Sequence, residues 1–350
     1  MQNILVTGGC GFIGSHIALG LLKKGYNVTI LDSNVNSSRL VIDRIRNLYF
    51  SENPNKKCNL NFFKGDILNE ILIDNIFQES INKEQKIKAV IHLAGLKSVK
   101  ESILNPIKYW ENNFLGSLNL LKVMIKYSCF ELVYSSSATV YGHPNTIPIL
   151  ENNFTNPINP YGKTKLAVEF LIKDVFQKYS DSFKVIVLRY FNPIGAHESG
   201  LIGENYKYCS DNIFPNILKV ALKKEKFLKI FGNDWNTLDG TTERDYIHVM
   251  DLADGHISSL KFLENSRPNI HTLNIGSGCK TSILNLIKLF ERLNNIEIPY
   301  KFYNRRFGDT PVLLANNDLA RKLLRWETKK TLSDMCKDGW NFAKKNNDFF

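Results

Sequence analysis

The run Gly8-Gly9-Cys10-Gly11-Phe12-Ile13-Gly14 and its flanks constrain the fold more than any other feature of the chain. Residues 3–7 before it form a short apolar strand. Residues 13–24 after it carry Ile17, Leu21 and Leu22 at helical spacing. Residues 28–31 make a second strand that ends at Asp32. This strand–turn–helix–strand unit opens a doubly wound parallel sheet. In such a turn Gly8 permits the tight bend, Gly11 lets backbone approach a pyrophosphate, and Gly14 lets the helix pack on the strand. The free N–H groups at the helix start hold the anion. The glycine spacing is one residue longer in its first gap than the common dehydrogenase pattern. Asp32 is placed to bind ribose hydroxyls and disfavours a 2′-phosphate, so the expected cofactor is NAD rather than NADP.

Strand candidates follow at residues 60–64, 89–92, 131–135 and 184–189, separated by helical segments at 71–81, 106–127 and 161–179. Strict alternation of strand and helix predicts an α/β, Rossmann-type parallel sheet covered on both faces. Beyond residue 190 the segments are shorter and richer in Asn, Gly and Asp, as at 232–240 and 276–278. The expected division is a nucleotide-binding domain of residues 1–190 with a return segment 246–275. A substrate lobe takes 191–245 and 276–350. Residues 34–38 and 51–57 read as surface loops, and 344–350 as a fraying tail.

The net charge of +11 admits nucleic acid or a phosphate-bearing ligand as a partner. The lysines are dispersed and often sit beside asparagine, which reads as solvated surface, so no nucleic-acid partner is expected. Nor is a membrane, since no stretch approaches the roughly 20 apolar residues of a span. The first residues show no secretory leader pattern. The six cysteines, Cys10, Cys58, Cys129, Cys209, Cys279 and Cys336, include no Cys-x-x-Cys pair. Reduced thiols in a cytoplasmic protein are expected, and no metal.

Tyr161 and Lys165 stand four residues apart on a predicted helix, hence on one face. A neighbouring ammonium favours a phenolate, which turns a poor base into a usable one. Lys165 can also bond a nicotinamide ribose. Ser137, just past the fifth strand, can bond the same substrate hydroxyl, and loops at that end of a parallel sheet are where ligands bind. Together with Val6-Thr7-Gly8-Gly9, Ala94-Gly95-Leu96-Lys97, residues 135–142, residues 188–193 and residues 244–255, this constellation resembles the UDP-glucose 4-epimerases of the extended short-chain dehydrogenase/reductase superfamily. The likeness runs from residue 3 to about residue 340.

The resemblance implies that NAD+ stays bound while Tyr161 takes the proton of a UDP-hexose 4-hydroxyl and hydride leaves C4. The 4-ketosugar then turns over, and hydride returns to its other face. Ser137 helps position the proton, and Lys165 tunes Tyr161. Implied cofactor contacts are Phe12, Ile13, Asp32, Asp66, Ile67, Ala94, Gly95, Lys97, Asn112, Ser137, Tyr161, Lys165 and Phe191, besides the glycines. Asn192 and Asn212 match substrate-binding asparagines, and Phe231 lies where the family holds uracil. Arg244 and Arg306 match residues gripping the diphosphate, and Asp309 a substrate-binding acid. Leu313 stands where side-chain bulk decides whether N-acetylated sugars fit. Dehydratases of the superfamily need an added acid and base after the serine/threonine motif. Ala138 and Thr139 stand there instead, which favours epimerisation. The family is usually homodimeric, and residues 106–127 and 161–179 could form that interface.

Overall fold

The computed structural model describes residues 1–205, 212–306 and 308–349. The main sheet begins with β1 (Asn3–Thr7), β2 (Asn27–Asp32), β3 (Leu60–Lys64), β4 (Ile87–His92), β5 (Glu131–Ser137) and β6 (Lys184–Tyr190). All six strands expected from the sequence are present. The chain then lays down β7 (Asn192–Ile194), β8 (Leu228–Phe231) and β9 (Glu243–His248) in a second lobe before coming back. β10 (Asn269–Ile275) pairs with β6 and completes a seven-stranded sheet of order β3-β2-β1-β4-β5-β6-β10. β11 (Lys280–Ser282), β12 (Tyr300–Tyr303) and β13 (Val312–Leu313) belong to the second lobe, where β9 pairs with β7, β11 and β13, and β12 pairs with β8.

The helices are α1 (Phe12–Lys23), α2 (Leu40–Glu52), α3 (Glu70–Asn82), α4 (Val99–Leu104), α5 (Pro106–Tyr109), α6 (Gly116–Lys126), α7 (Pro160–Lys178) and α8 (Ile213–Ala221). They continue with α9 (Val249–Asn265), α10 (Ile283–Asn294), α11 (Asp318–Leu324) and α12 (Leu332–Lys345). Alternation along β1 feeds two cores. Ile4 and Val6 pack with Ile17 and Leu21 of α1 and Ile257 of α9. Leu5 faces the opposite way, toward Ile76 of α3, Met124 of α6 and Ile172 of α7. Burial on both faces explains why these strands read as continuous apolar runs. A third cluster, with Phe214, Tyr246, Phe290 and Phe342, holds the second lobe together.

Four expectations are corrected. Residues 106–127 are not one helix: α5 runs into a π-helical turn, Trp110–Leu115, before α6 begins. Ser51 and Glu52, read as loop, end α2, whose inner face buries Val41, Ile45 and Leu48. The second lobe is more helical than its composition implied, because α10 and α12 each bury one apolar stripe. Residues 344–349 are not a loose tail. Lys345 Nζ donates to Ser199 O at 2.8 Å, and buried Asn346 Nδ2 donates to Gly200 O at 2.9 Å. Among the described residues the cysteines are free, and Cys209 and Phe350 lie outside them. No helix among them is long and apolar enough to cross a membrane.

Candidate active site

β1 and β4 lie side by side, and the sequence between them runs outward through β2 and β3. This is the switch point at which a doubly wound sheet opens a crevice. The glycine turn lines it, and its geometry leaves no room for a side chain at Gly8 or Gly14. Gly8 has φ of +71°, and a Cβ there would come within 2.9 Å of Ala94 N. A Cβ on Gly14 would stand 2.3 Å from Gly8 O. The bare backbone and the start of α1 form the cradle that a pyrophosphate needs. Asp32 stiffens it. One carboxylate oxygen accepts from Cys10 N at 2.9 Å, and the other from Asn34 N at 2.9 Å and Ser37 Oγ at 2.8 Å.

The crevice continues into the second lobe as a single cavity of about 1030 Å³. That exceeds the usual ligand pocket of roughly 300–1,000 Å³ and leaves room for two nucleotides end to end. Every site residue expected from the sequence lines it. Gly8, Gly11, Phe12, Ile13, Gly14, Asp32, Asp66 and Ile67 stand at one end. Ala94, Gly95, Lys97, Asn112, Ser137, Tyr161, Lys165, Phe191 and Asn192 line it further along the chain. Asn212, Phe231, Arg244, Arg306, Asp309 and Leu313 bring in the second lobe.

Tyr161 owes its place to a built helix start. Asn159 Oδ1 accepts from Gly162 N at 2.8 Å, and Pro160 pre-sets the first turn of α7. The Ser137 side chain stands beside the Tyr161 phenol in the cavity wall and favours its charged form. Ser137 Oγ also accepts from Thr139 N at 3.2 Å and Thr139 Oγ1 at 3.0 Å. Its lone pairs are thereby engaged, which leaves its O–H to donate into the cavity. Burial raises the Tyr161 phenol above its ordinary value, while the nearby Ser137 hydroxyl and the charge of Lys97 pull it down.

Lys165 Nζ donates to Ser135 O at 2.7 Å and sits over the Tyr134 ring at 5.2 Å. Burial pushes Lys165 down to about 8, against the opposing charge of Glu169. Lys165 therefore ties α7 to the end of β5, and the charge of Lys97 also favours the phenolate of Tyr161. Glu169, one turn further along α7, is held in a buried pair with Arg189, at 2.6 Å between Oε2 and Nη2.

In the second lobe Arg244 Nη1 donates to Thr310 O at 2.9 Å. Asp309 stands between two guanidinium groups, 4.0 Å from Arg244 and 3.6 Å from Arg306. The Arg306 guanidinium covers the Phe231 ring at 4.3 Å. An aromatic face beside paired arginines offers stacking for a base and forked donors for phosphate. Asn192 Nδ2 donates to Asp245 O at 3.0 Å, which joins β7 to β9 under the cavity.

Sequence reasoning missed three residues. Asn113 clamps the loop after β4 from both sides, accepting from Leu96 N at 2.7 Å and donating to Leu96 O at 3.0 Å. The π-turn sets it beside Asn112 with a different target. Thr139 was read only for what it cannot do, and here it orients Ser137. Glu204 lines the cavity and pairs with Lys97.

A family profile described as GDP-mannose 4,6 dehydratase matches residues 5–339. The bifunctional UDP-glucose 4-epimerase and UDP-xylose 4-epimerase 3 of Arabidopsis thaliana is 44% identical over 346 residues, 99% of this chain and 96% of the relative. UDP-glucose 4-epimerase 1 of Oryza sativa subsp. japonica is also 44% identical, across 99% of this chain and 96% of its own. The solved UDP-glucose 4-epimerase of Stenotrophomonas maltophila, with bound NAD and formylated UDP-arabinopyranose, superposes with a TM-score of 0.93 at 40% identity, covering 99% of each chain. That of Bifidobacterium longum, in complex with NAD+ and UDP, gives 0.91 at 39% over 100% of each. With its parallel sheet, switch-point cradle and Ser–Tyr–Lys cluster, the chain belongs to the UDP-glucose 4-epimerase family of the extended short-chain dehydrogenases/reductases.

Proposed function

We propose that this chain interconverts UDP-galactose and UDP-glucose, a step of galactose metabolism in the cytoplasm. The observation that carries the reading is that Ser137, Tyr161 and Lys165 share one cavity with both the glycine cradle and the paired arginines. NAD fits the cradle, whose turn closes on its own backbone too tightly for a Cβ at Gly8 or Gly14, and when bound it supplies the hydride acceptor and donor. Gly8, Gly11, Phe12, Ile13, Gly14, Asp32, Asp66, Ile67, Ala94, Gly95, Asn112 and Phe191 hold it, with Lys97 and Lys165 at the nicotinamide side. Tyr161 removes the proton from the 4-hydroxyl and returns it, with Ser137 steadying the phenolate. Asn192, Asn212, Phe231, Arg244, Arg306 and Asp309 grip the UDP moiety, which leaves the hexose free to turn. Apart from Phe191, the cofactor residues fall in 1–190 with 246–275, and the UDP-gripping residues fall in 191–245 with 276–350. Ala138 and Thr139 offer no acid–base pair for dehydration. The direct test is UDP-galactose with the purified protein, read as UDP-glucose by a coupled dehydrogenase. A folded, NAD-bearing protein that gives no product would overturn the reading.

Substrate breadth turns on Leu313, half-buried against the apolar cluster that includes Phe191 and Tyr141. Leu313→Tyr fills more of the hexose end. Turnover of UDP-galactose should stay within a few-fold of wild type, and any turnover of UDP-N-acetylgalactosamine should disappear. Equal loss on both sugars would remove Leu313 as the gate.

The chain is expected to be a homodimer. Ile103, Ile107, Trp110 and Leu115 along the α4–α6 arm and Phe170 on α7 are exposed apolar side chains, with Ile107 72% exposed. Such a row on a soluble surface marks an interaction site. Light scattering should give twice the chain mass, and Ile107→Asp should shift it toward the single chain. A wild-type monomer at micromolar concentration would exclude the dimer.

A further inference from the structure

Glu204 has no part in the chemistry above, yet its carboxylate is buried in the wall of the catalytic cavity. Its side chain is 7% exposed and forms an ion pair with the ammonium of Lys97, whose side chain is 43% exposed. Lys97 comes from the loop after β4 in the first domain, and Glu204 from the loop after β7 in the second lobe. The pair therefore joins two loops 107 residues apart in the chain.

The Glu204 side of this bridge is rigid. Ile202 is buried in the main core. Gly203 lies against Phe342, where a Cβ would come within 2.7 Å of the ring. The preceding turn is tied at four points. Arg44 Nη1 donates to Leu201 O at 2.9 Å, Asn341 Nδ2 to Glu198 O at 2.8 Å, Lys345 Nζ to Ser199 O, and Asn346 Nδ2 to Gly200 O. A carboxylate so fixed is an anchor for a long, flexible lysine. We propose that Glu204 is a positioning residue for the epimerase reaction: it sets where the Lys97 ammonium sits and thereby how much positive field reaches Tyr161. The proposal rests on the epimerase reading for its substrate but not for its spectroscopic test.

The sign follows from the groups around the phenol. From α7 it faces Lys165, from β5 Ser137 and Tyr134, from β6 Tyr190, and from the loop after β4 Lys97. Tyr134 and Tyr190 are both held well above the ordinary phenol value by burial, so neither carries charge at neutral pH. Lys97 favours the phenolate. Glu204 opposes it, by its own charge and by restraining Lys97. Activity that needs the phenolate appears as pH rises through the Tyr161 transition. Removing the Glu204 charge therefore moves that acid limb to lower pH, and removing the Lys97 charge moves it to higher pH.

The experiment compares wild type, Glu204→Gln, Lys97→Met and the double variant. It records kcat on UDP-galactose against pH and, independently of turnover, the ultraviolet difference absorbance of the phenolate, assigned with Tyr161→Phe. Glu204→Gln should shift both midpoints down by about half a pH unit or more, and Lys97→Met should shift them up. In the Lys97→Met background the Glu204→Gln shift should fall to a small fraction. An unmoved midpoint in Glu204→Gln, or an undiminished shift in the double variant, would overturn the proposal. Should Glu204→Gln fail to fold, Lys97→Met alone decides: its side chain is partly exposed, and an unmoved phenolate midpoint refutes the mechanism. Wild type lacking turnover would instead refute the epimerase reading, and the absorbance titration would still judge Glu204.

Discussion

Tyr161→Phe should lower kcat on UDP-galactose by roughly a hundred- to ten-thousand-fold, the range over which a positioned acid–base group acts. The substitution removes one oxygen and leaves the ring. Helix α7 keeps its Asn159 cap, and Lys165 keeps its bond to Ser135 O. The variant should therefore purify with a wild-type melting temperature and the same nucleotide content, and the loss should appear in kcat rather than KM. Thr139 would still hold Ser137 in place. Turnover within a few-fold of wild type would remove Tyr161 from the chemistry and require another base among the cavity-lining residues.

The second large effect lies at the opposite end of the cavity. Gly14→Ala puts a methyl group 2.3 Å from Gly8 O and 2.7 Å from Gly9 Cα. Both neighbours are backbone, so neither can swing aside. The turn must open, or α1 must lift away from β1. Either movement spoils the N–H array that holds the pyrophosphate, and overpacking of this kind costs about 1–3 kcal/mol. The variant should lose bound nucleotide on purification and melt several degrees earlier. Full occupancy at the wild-type melting temperature would show that the cradle is softer than its geometry indicates.

The first domain was legible because its signals are local. A glycine turn between a strand and a helix, a carboxylate ending the next strand, and a Tyr/Lys pair at helical spacing can each be read within a short window. Phe231, Arg244, Arg306 and Asp309 were reached through family resemblance alone, since an arginine in a loop carries no mark of its destination. The π-turn escaped because a single added residue changes the helical phase without disturbing the apolar pattern. Glu204 escaped for a different reason. Its partner stands 107 residues earlier in the chain, and only the folded sheet brings the two loops together.

The return of β10 to the main sheet has a consequence for the growing polypeptide. Until residues 249–275 emerge from the ribosome, β6 is an open edge and the outer face of α1 lacks α9, whose Ile257 contacts Gly20. An open strand edge beside uncovered apolar surface invites pairing with other chains. The whole second-lobe passage 191–248 must be synthesised while that edge stands open. The two lobes are thus interleaved in the order of synthesis, and no single cut in the chain separates a finished nucleotide-binding half from a finished substrate-binding half.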